Sequence, residues 1–256
     1  MKVKVNFAIL ISLLFFSCSK EEIREEVSPT GKEVTTKVTC LPELIVNPYD
    51  SVGVLHNAHM QEILDGLTFP FSLVESILES ENVLVRNYGS DALDFLYDER
   101  GFEELYESLD DESFFLNLQN SSGLDSIQKN AIIGVFEELA AYDGSNSCAV
   151  LEKLKEPEVE ILDNVSQAED VEVFLMASSI ARHSLIFWDS LDVEIEELAK
   201  FKNWNWRRIG VIACDVAGGI AGCLAGLPTV AGGVCGAIVG GVSGSASCAS
   251  LIQNWP

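Results

Sequence analysis

The chain holds three histidines, and they are the first residues to weigh for chemistry. His56, His59 and Glu62 follow one another at three-residue steps. On a helix they would share a face and offer two imidazoles and a carboxylate to a metal ion. His59 also falls on an apolar stripe with Val52, Leu55 and Ile63, so satisfied core or rim histidines are the better reading. The third imidazole, His183, is far away in sequence, and an enzyme would need a cleft that gathers all three. Cys148, in the stretch DGSNSCAVLEK, would need a base and a lowered pKa to act as a nucleophile. Nothing around it has that form. There is no GxSxG, phosphate-binding loop or nucleotide fingerprint, and carboxylates are so numerous that any chosen acid and base pair is arbitrary. They read as a solvated surface. We expect no catalytic residue, no metal and no other cofactor: the chain is not read as an enzyme.

The N-terminus states the compartment. MKVK is a basic start, and VNFAILISLLFF is an apolar run too short for a comfortable bilayer span, as in a secretory signal. It ends in Phe15-Phe16-Ser17-Cys18, which resembles a bacterial lipoprotein box. The resemblance implies cleavage after residue 17 and a diacylated Cys18. Ser19-Lys20-Glu21-Glu22, directly after it, is similar to the acidic export signal that routes lipoproteins of the Bacteroidota to the outer face of the outer membrane. The expected location is therefore the outer membrane, exposed at the cell surface. Removing residues 1–17 takes away Lys2 and Lys4 and leaves 40 acidic against 14 basic side chains, a formal charge of -26. Such a surface repels nucleic acid and anionic lipid headgroups.

With Cys18 lipidated, Cys40, Cys148, Cys214, Cys223, Cys235 and Cys248 remain. An even number in an oxidising compartment suggests disulfides. No CxxC pair supports a zinc ribbon or a thioredoxin-like site.

Residues 18–46 read as the lipidated terminus and a tether, with a short strand in EVTTKVT. Residues 47–203 carry helical apolar spacing, and their acidic side chains fall on outer faces. Asp50 after Asn47-Pro48-Tyr49 is a candidate helix cap. Ser72 with Glu75, and Ser166 with Glu169, have capping-box spacing. Leu124, Ile127, Ala131, Val135 and Leu139 form one stripe; Val173, Ala177, Ile180, Ser184 and Phe187 form another. The fold class is all-α: an acidic multi-helix domain followed by an apolar helical hairpin.

That hairpin, residues 204–256, has the most regular pattern. Asp215 is the only charge from Ile209 to Pro256. Gly218, Gly222 and Gly226 are spaced by four, as are Gly232, Gly236, Gly240 and Gly244, with Leu227-Pro228-Thr229 as the turn. Each glycine costs a helix about 1 kcal/mol relative to alanine, so the rows make sense as contact faces that let two backbones approach closely. One antiparallel register pairs Gly218 with Gly240, Gly222 with Gly236 and Gly226 with Gly232. It also puts Cys223 opposite Cys235, which predicts a disulfide there. Cys214 to Cys248, about one turn out of register, is a secondary pairing that needs local adjustment, and Cys40 to Cys148 is the pair left over. Trp204, Trp206, Arg207 and Arg208 at one end and Trp255 at the other are candidate membrane-interface residues. Asp215 is expected to pair with Arg207 or Arg208.

The segment NPYDSVGVLHN, Asn47 to Asn57, resembles a stretch found in exported Bacteroidota proteins, some of which end in a Trp-containing, glycine-rich apolar tail. The tail itself looks like the glycine-zipper bacteriocins. These resemblances leave two main readings. In the first, a surface-anchored, non-enzymatic lipoprotein acts as an interaction or structural module, and its hairpin packs within the protein or against other copies. In the second, the hairpin enters a bilayer, as in a bacteriocin-like contact antagonist. An enzyme is a third reading. Expected partners are the membrane, through the N-terminal lipid and in the second reading through the hairpin, and further copies of the chain; nucleic acid is excluded by charge.

Overall fold

A computed structural model describes residues 40–68, 72–90, 120, 124–142, 146–194, 204–226 and 230–253. The described residues are all-α. In chain order the helices are α1 (Asp50–Gly66), α2 (Leu73–Tyr88), α3 (Ser126–Ala140), α4 (Ser147–Asn164), α5 (Glu172–Glu194), α6 (Trp204–Gly226) and α7 (Val230–Gln253), with one 3-10 turn at Ala168–Val171 before α5. The part from Thr39 onward is one compact unit.

Local sequence explains several of the helix ends. Ser72 and Glu75 form the expected capping box: the serine hydroxyl accepts from the Glu75 N–H, and the glutamate accepts from the Ser72 N–H. Asp125 and Asn146 cap α3 and α4 in the same way, accepting from the N–H groups of Gln128 and Ala149. α2 stops at Gly89, whose φ of 83° suits a residue without a side chain. The second expected box does not form. Gln167, not Ser166, stands at the cap position with no side-chain bond, because the chain enters through a 3-10 turn and only becomes α-helical at Glu172.

Asp50 also departs from expectation. It is the first residue inside α1, behind Tyr49 at the cap position, and its carboxylate turns inward to side chains of α5. The entry turn is held instead by Asn47, whose Oδ1 accepts from the Tyr49 N–H at 2.8 Å.

α5 is the centre of the molecule: α1, α3, α4 and α6 all pack on it, and α7 reaches it as well. From Val173 to Leu185 every residue is buried, as expected for a helix that is surrounded on all sides. The stretch Ala168–Ser190 has the length and hydropathy of a membrane span, yet 83% of its apolar window is enclosed by protein. The buried face of α1 is Val52, Gly53, His56, His59, Met60 and Ile63. Leu55 (37%) and Ile127 (53%), both placed on apolar stripes by spacing, are exposed. Gly53 and the neighbouring turn explain the first shift. A Cβ on Gly53 would lie 2.5 Å from the Ser179 carbonyl oxygen, so α1 rotates to seat its glycine edge on α5.

Candidate functional site

The glycine rows meet in the expected antiparallel register. A Cβ built on Gly218 would collide with the carbonyl of Gly240, one on Gly222 with that of Gly236, one on Gly226 with that of Gly232, and one on Gly244 with the carbonyl of Cys214. Side chains at these positions would force the arms apart, so glycine is required by the distance between backbones and not by turn geometry. A second glycine pair lies on another face of the hairpin. Gly219 and Gly241 both abut Ile180 of α5, and Gly241 also sits beside the His56 ring. The spacing of four drew attention to the first face and hid the second. Together they show what lies around the hairpin: Val211, Ile212, Val216, Ala217, Ile220, Ala237, Ile238, Val239 and Val242 belong to the protein's own core. α2 adds a tie, the Ser76 hydroxyl donating to the Ala246 carbonyl at 2.6 Å.

Two disulfides are present among the described residues. Cys40 is bonded to Cys148, with 5.5 Å between their Cα atoms, and Cys214 to Cys248, with 6.4 Å. The expected Cys223 to Cys235 bond is absent. Being opposite in register was not enough, because each follows or precedes a contact glycine by one residue and is turned about 100° around its helix. The Cys223 thiol points to the Met176 sulfur, 3.6 Å away on α5. Burial, with Glu172 nearby, pushes it up to about 12. Cys214 and Cys248 close across one turn of offset because helical side chains lean toward their own N-terminus. In antiparallel arms those leans converge.

A buried polar cluster lies between α1, α4 and α5. Arg182 is wholly buried. Its Nε donates to Glu158 Oε1 at 2.6 Å, and its Nη2 donates to Glu158 Oε2 at 3.1 Å and Asp50 Oδ1 at 2.5 Å. Its Nη1 donates to the carbonyl of Pro42. Glu158, also wholly buried, accepts in addition from Asn47 Nδ2 and Ser178 Oγ, each at 2.6 Å. Four donors meet the two oxygens of this carboxylate, so its hydrogen-bonding capacity is filled inside the core. Asp50 is pushed up by burial, but hydrogen bonds from His183 and Arg182 outweigh that and hold it below its ordinary value. Spacing gave no hint of this cluster. The available signal was Arg182 itself, the only Lys or Arg in the run from Val173 to Trp188, where the other polar residues are three serines and His183.

The segment NPYDSVGVLHN acquires a physical meaning here. Asn47 donates to the Leu175 carbonyl at 3.0 Å, Tyr49 to Glu172 at 3.4 Å, the Gly53 N–H to Ser179 Oγ at 3.0 Å, and Asn57 to the His183 carbonyl at 2.8 Å. The segment is fastened along one side of α5, at Glu172, Leu175, Ser179 and His183.

The three histidines serve three separate partner sets. His59 Nε2 is 2.8 Å from the Tyr88 hydroxyl, with the rings edge to face, and Nδ1 is 3.6 Å from Glu62. Burial lowers its pKa, nearby His56 adds to this, and Glu62 opposes it. His183 faces Asp50 at 3.4 Å. His56 faces Asp215 at 3.9 Å across the hairpin boundary. Among the described residues no group of three His, Cys, Asp or Glu side chains is placed to hold a metal. Asp215 accepts from the Trp188 indole at 3.1 Å; the expected pairing with Arg207 or Arg208 falls on side chains outside the described residues.

Cys18, Ser19, Lys20, Glu21, Glu22, the EVTTKVT stretch, the Leu227-Pro228-Thr229 turn and Trp255 lie outside the described residues. Trp204, Trp206, Arg207 and Arg208 fall in the first turns of α6, but their side chains also lie outside them. No protein-family model, curated protein or solved structure matches this chain.

Proposed function

We propose that the chain is a surface-anchored, non-enzymatic lipoprotein that acts as an interaction or structural module, with the glycine-zipper hairpin serving as part of its folded core. The observation that carries this reading is the second glycine face. Gly219 and Gly241 seat the hairpin on Ile180 and His56, so small residues are accounted for on the side facing the protein as well as between the arms. The Cys214 to Cys248 bond adds to it by joining the arms at the end away from their turn. A tail built for release would need neither feature. The N-terminal lipid signal supplies the anchor, and the Cys40 to Cys148 bond fastens the end of the tether to α4.

The test is made on the mature protein without its lipidated cysteine. The amides of residues 211–223 and 236–246 should be among the slowest to exchange with deuterium, and dye-loaded liposomes should stay intact when the protein is added. Dye release that is lost on deleting residues 209–256 would overturn the proposal in favour of a membrane-inserting antagonist.

A further inference from the structure

At the boundary between the hairpin and the other helices, polar atoms from three helices converge without closing hydrogen bonds. Asp215 of α6 is completely buried. Its Oδ2 takes the Trp188 indole N–H, but its Oδ1 has no partner. His56 of α1 is equally buried, and its Nε2 stops 3.9 Å from Asp215 Oδ2, beyond hydrogen-bond reach. That nitrogen has no partner either, while the other ring nitrogen, Nδ1, is engaged by Asn57 at 3.1 Å and Ser184 at 3.4 Å. Ser245 of α7 and Ser184 of α5 both face the same carboxylate, and the buried Ser245 hydroxyl stops short of a closed hydrogen bond. Gly241 helps define the space: a Cβ there would come within 2.9 Å of the His56 ring.

Buried polar groups are almost always satisfied, and a separation just beyond hydrogen-bond reach is the usual mark of a bridging molecule. The donors and acceptors available are one imidazole nitrogen, one carboxylate oxygen and one hydroxyl. Three such partners suit a single water, which can donate and accept in either direction. They are too few and too weakly charged for a divalent cation. The geometry points to a binding site for one internal water that bridges His56 Nε2, Asp215 Oδ1 and Ser245 Oγ. It ties α1 to both arms of the hairpin, and it gives Asp215, the one charged residue from Ile209 to Pro256, a hydrogen-bonded place in an apolar interface. The site does not depend on the function proposed above.

A crystal structure of the mature chain, at a resolution that shows ordered water, tests this directly. A density peak within hydrogen-bond distance of all three atoms is expected. In solution, the Trp188 indole proton should show a nuclear Overhauser effect at the water frequency, and it should persist in Ser184→Ala, whose hydroxyl is not a partner of the water but whose exchanging proton could mimic it. Direct contact between His56 and Asp215 with no density between them, or loss of the effect in Ser184→Ala, would overturn the assignment. Where the two measurements differ, the density decides.

Discussion

A Cβ on Gly222 would fall on the carbonyl of Gly236, so there is no room for a methyl group at Gly222. This contact sets the distance between α6 and α7, and it makes a sharp pair of predictions. Gly222→Ala should destabilise the protein by about 1–3 kcal/mol through overpacking, although alanine is the better helix former. Gly134, in the interior of α3, has open space where a Cβ would go. There Gly134→Ala should stabilise by up to about 1 kcal/mol. Urea denaturation of both variants checks the pair, and equal shifts in the same direction would contradict the close-contact account.

The contrast shows what could be read in advance. A row of glycines at spacing four is a steric signal that survives in the sequence, because only a few relative placements of two arms bring the small positions opposite one another. Cysteine pairing is not so encoded. Cys223 and Cys235 match in register but not in direction around the helix, and one residue of rotation sends Cys223 to Met176. The Ser72 box could be read because both partners are local. The Ser166 box failed because the choice between a 3-10 and an α turn depends on how α5 is seated in the core. The Arg182 cluster was least legible, since its partners come from residues 42, 50 and 158, and no local pattern announces a meeting between distant segments.

Disulfide mapping without reduction should recover peptides linking Cys40 to Cys148 and Cys214 to Cys248. The Cys223 thiol, buried against Met176, should react with an alkylating agent only after denaturation. Replacing both Cys214 and Cys248 by serine should lower stability by about 3–4 kcal/mol on chain-entropy grounds, and the corresponding change at Cys40 and Cys148, which close a longer loop, by somewhat more. Linked peptides joining Cys223 to Cys235 would refute the arrangement.

Arg182→Met should be among the most damaging single changes, at about 3–5 kcal/mol, because it strands the buried Glu158 carboxylate. Changing Glu158 to Leu in the same chain should recover much of that loss, as a denaturation-based double-mutant cycle would reveal. Asp50, at the edge of the cluster, adds a pH signature. Its folded pKa lies below the unfolded value, so the stability it contributes is present above about pH 4 and is lost as pH falls through the lower folded value. Asp50→Asn should therefore be less stable than the parent at neutral pH, with the gap closing on acidification.

Asp215 should behave in the opposite sense. Burial raises its pKa, with His56 and the Trp188 hydrogen bond opposing that rise only in part. The folded state then holds its proton at pH values where the unfolded chain has lost it. Stability from this group is present below about pH 4 and declines as pH rises through the folded value. Asp215→Asn retains an acceptor for the Trp188 N–H but cannot ionise. Thermal melts across pH should show the variant gaining on the parent as pH rises from about 4 toward neutral. A difference that stays constant over that range would mean the carboxylate ionises in the folded hairpin as readily as in the unfolded chain, and that its partners fully offset its burial.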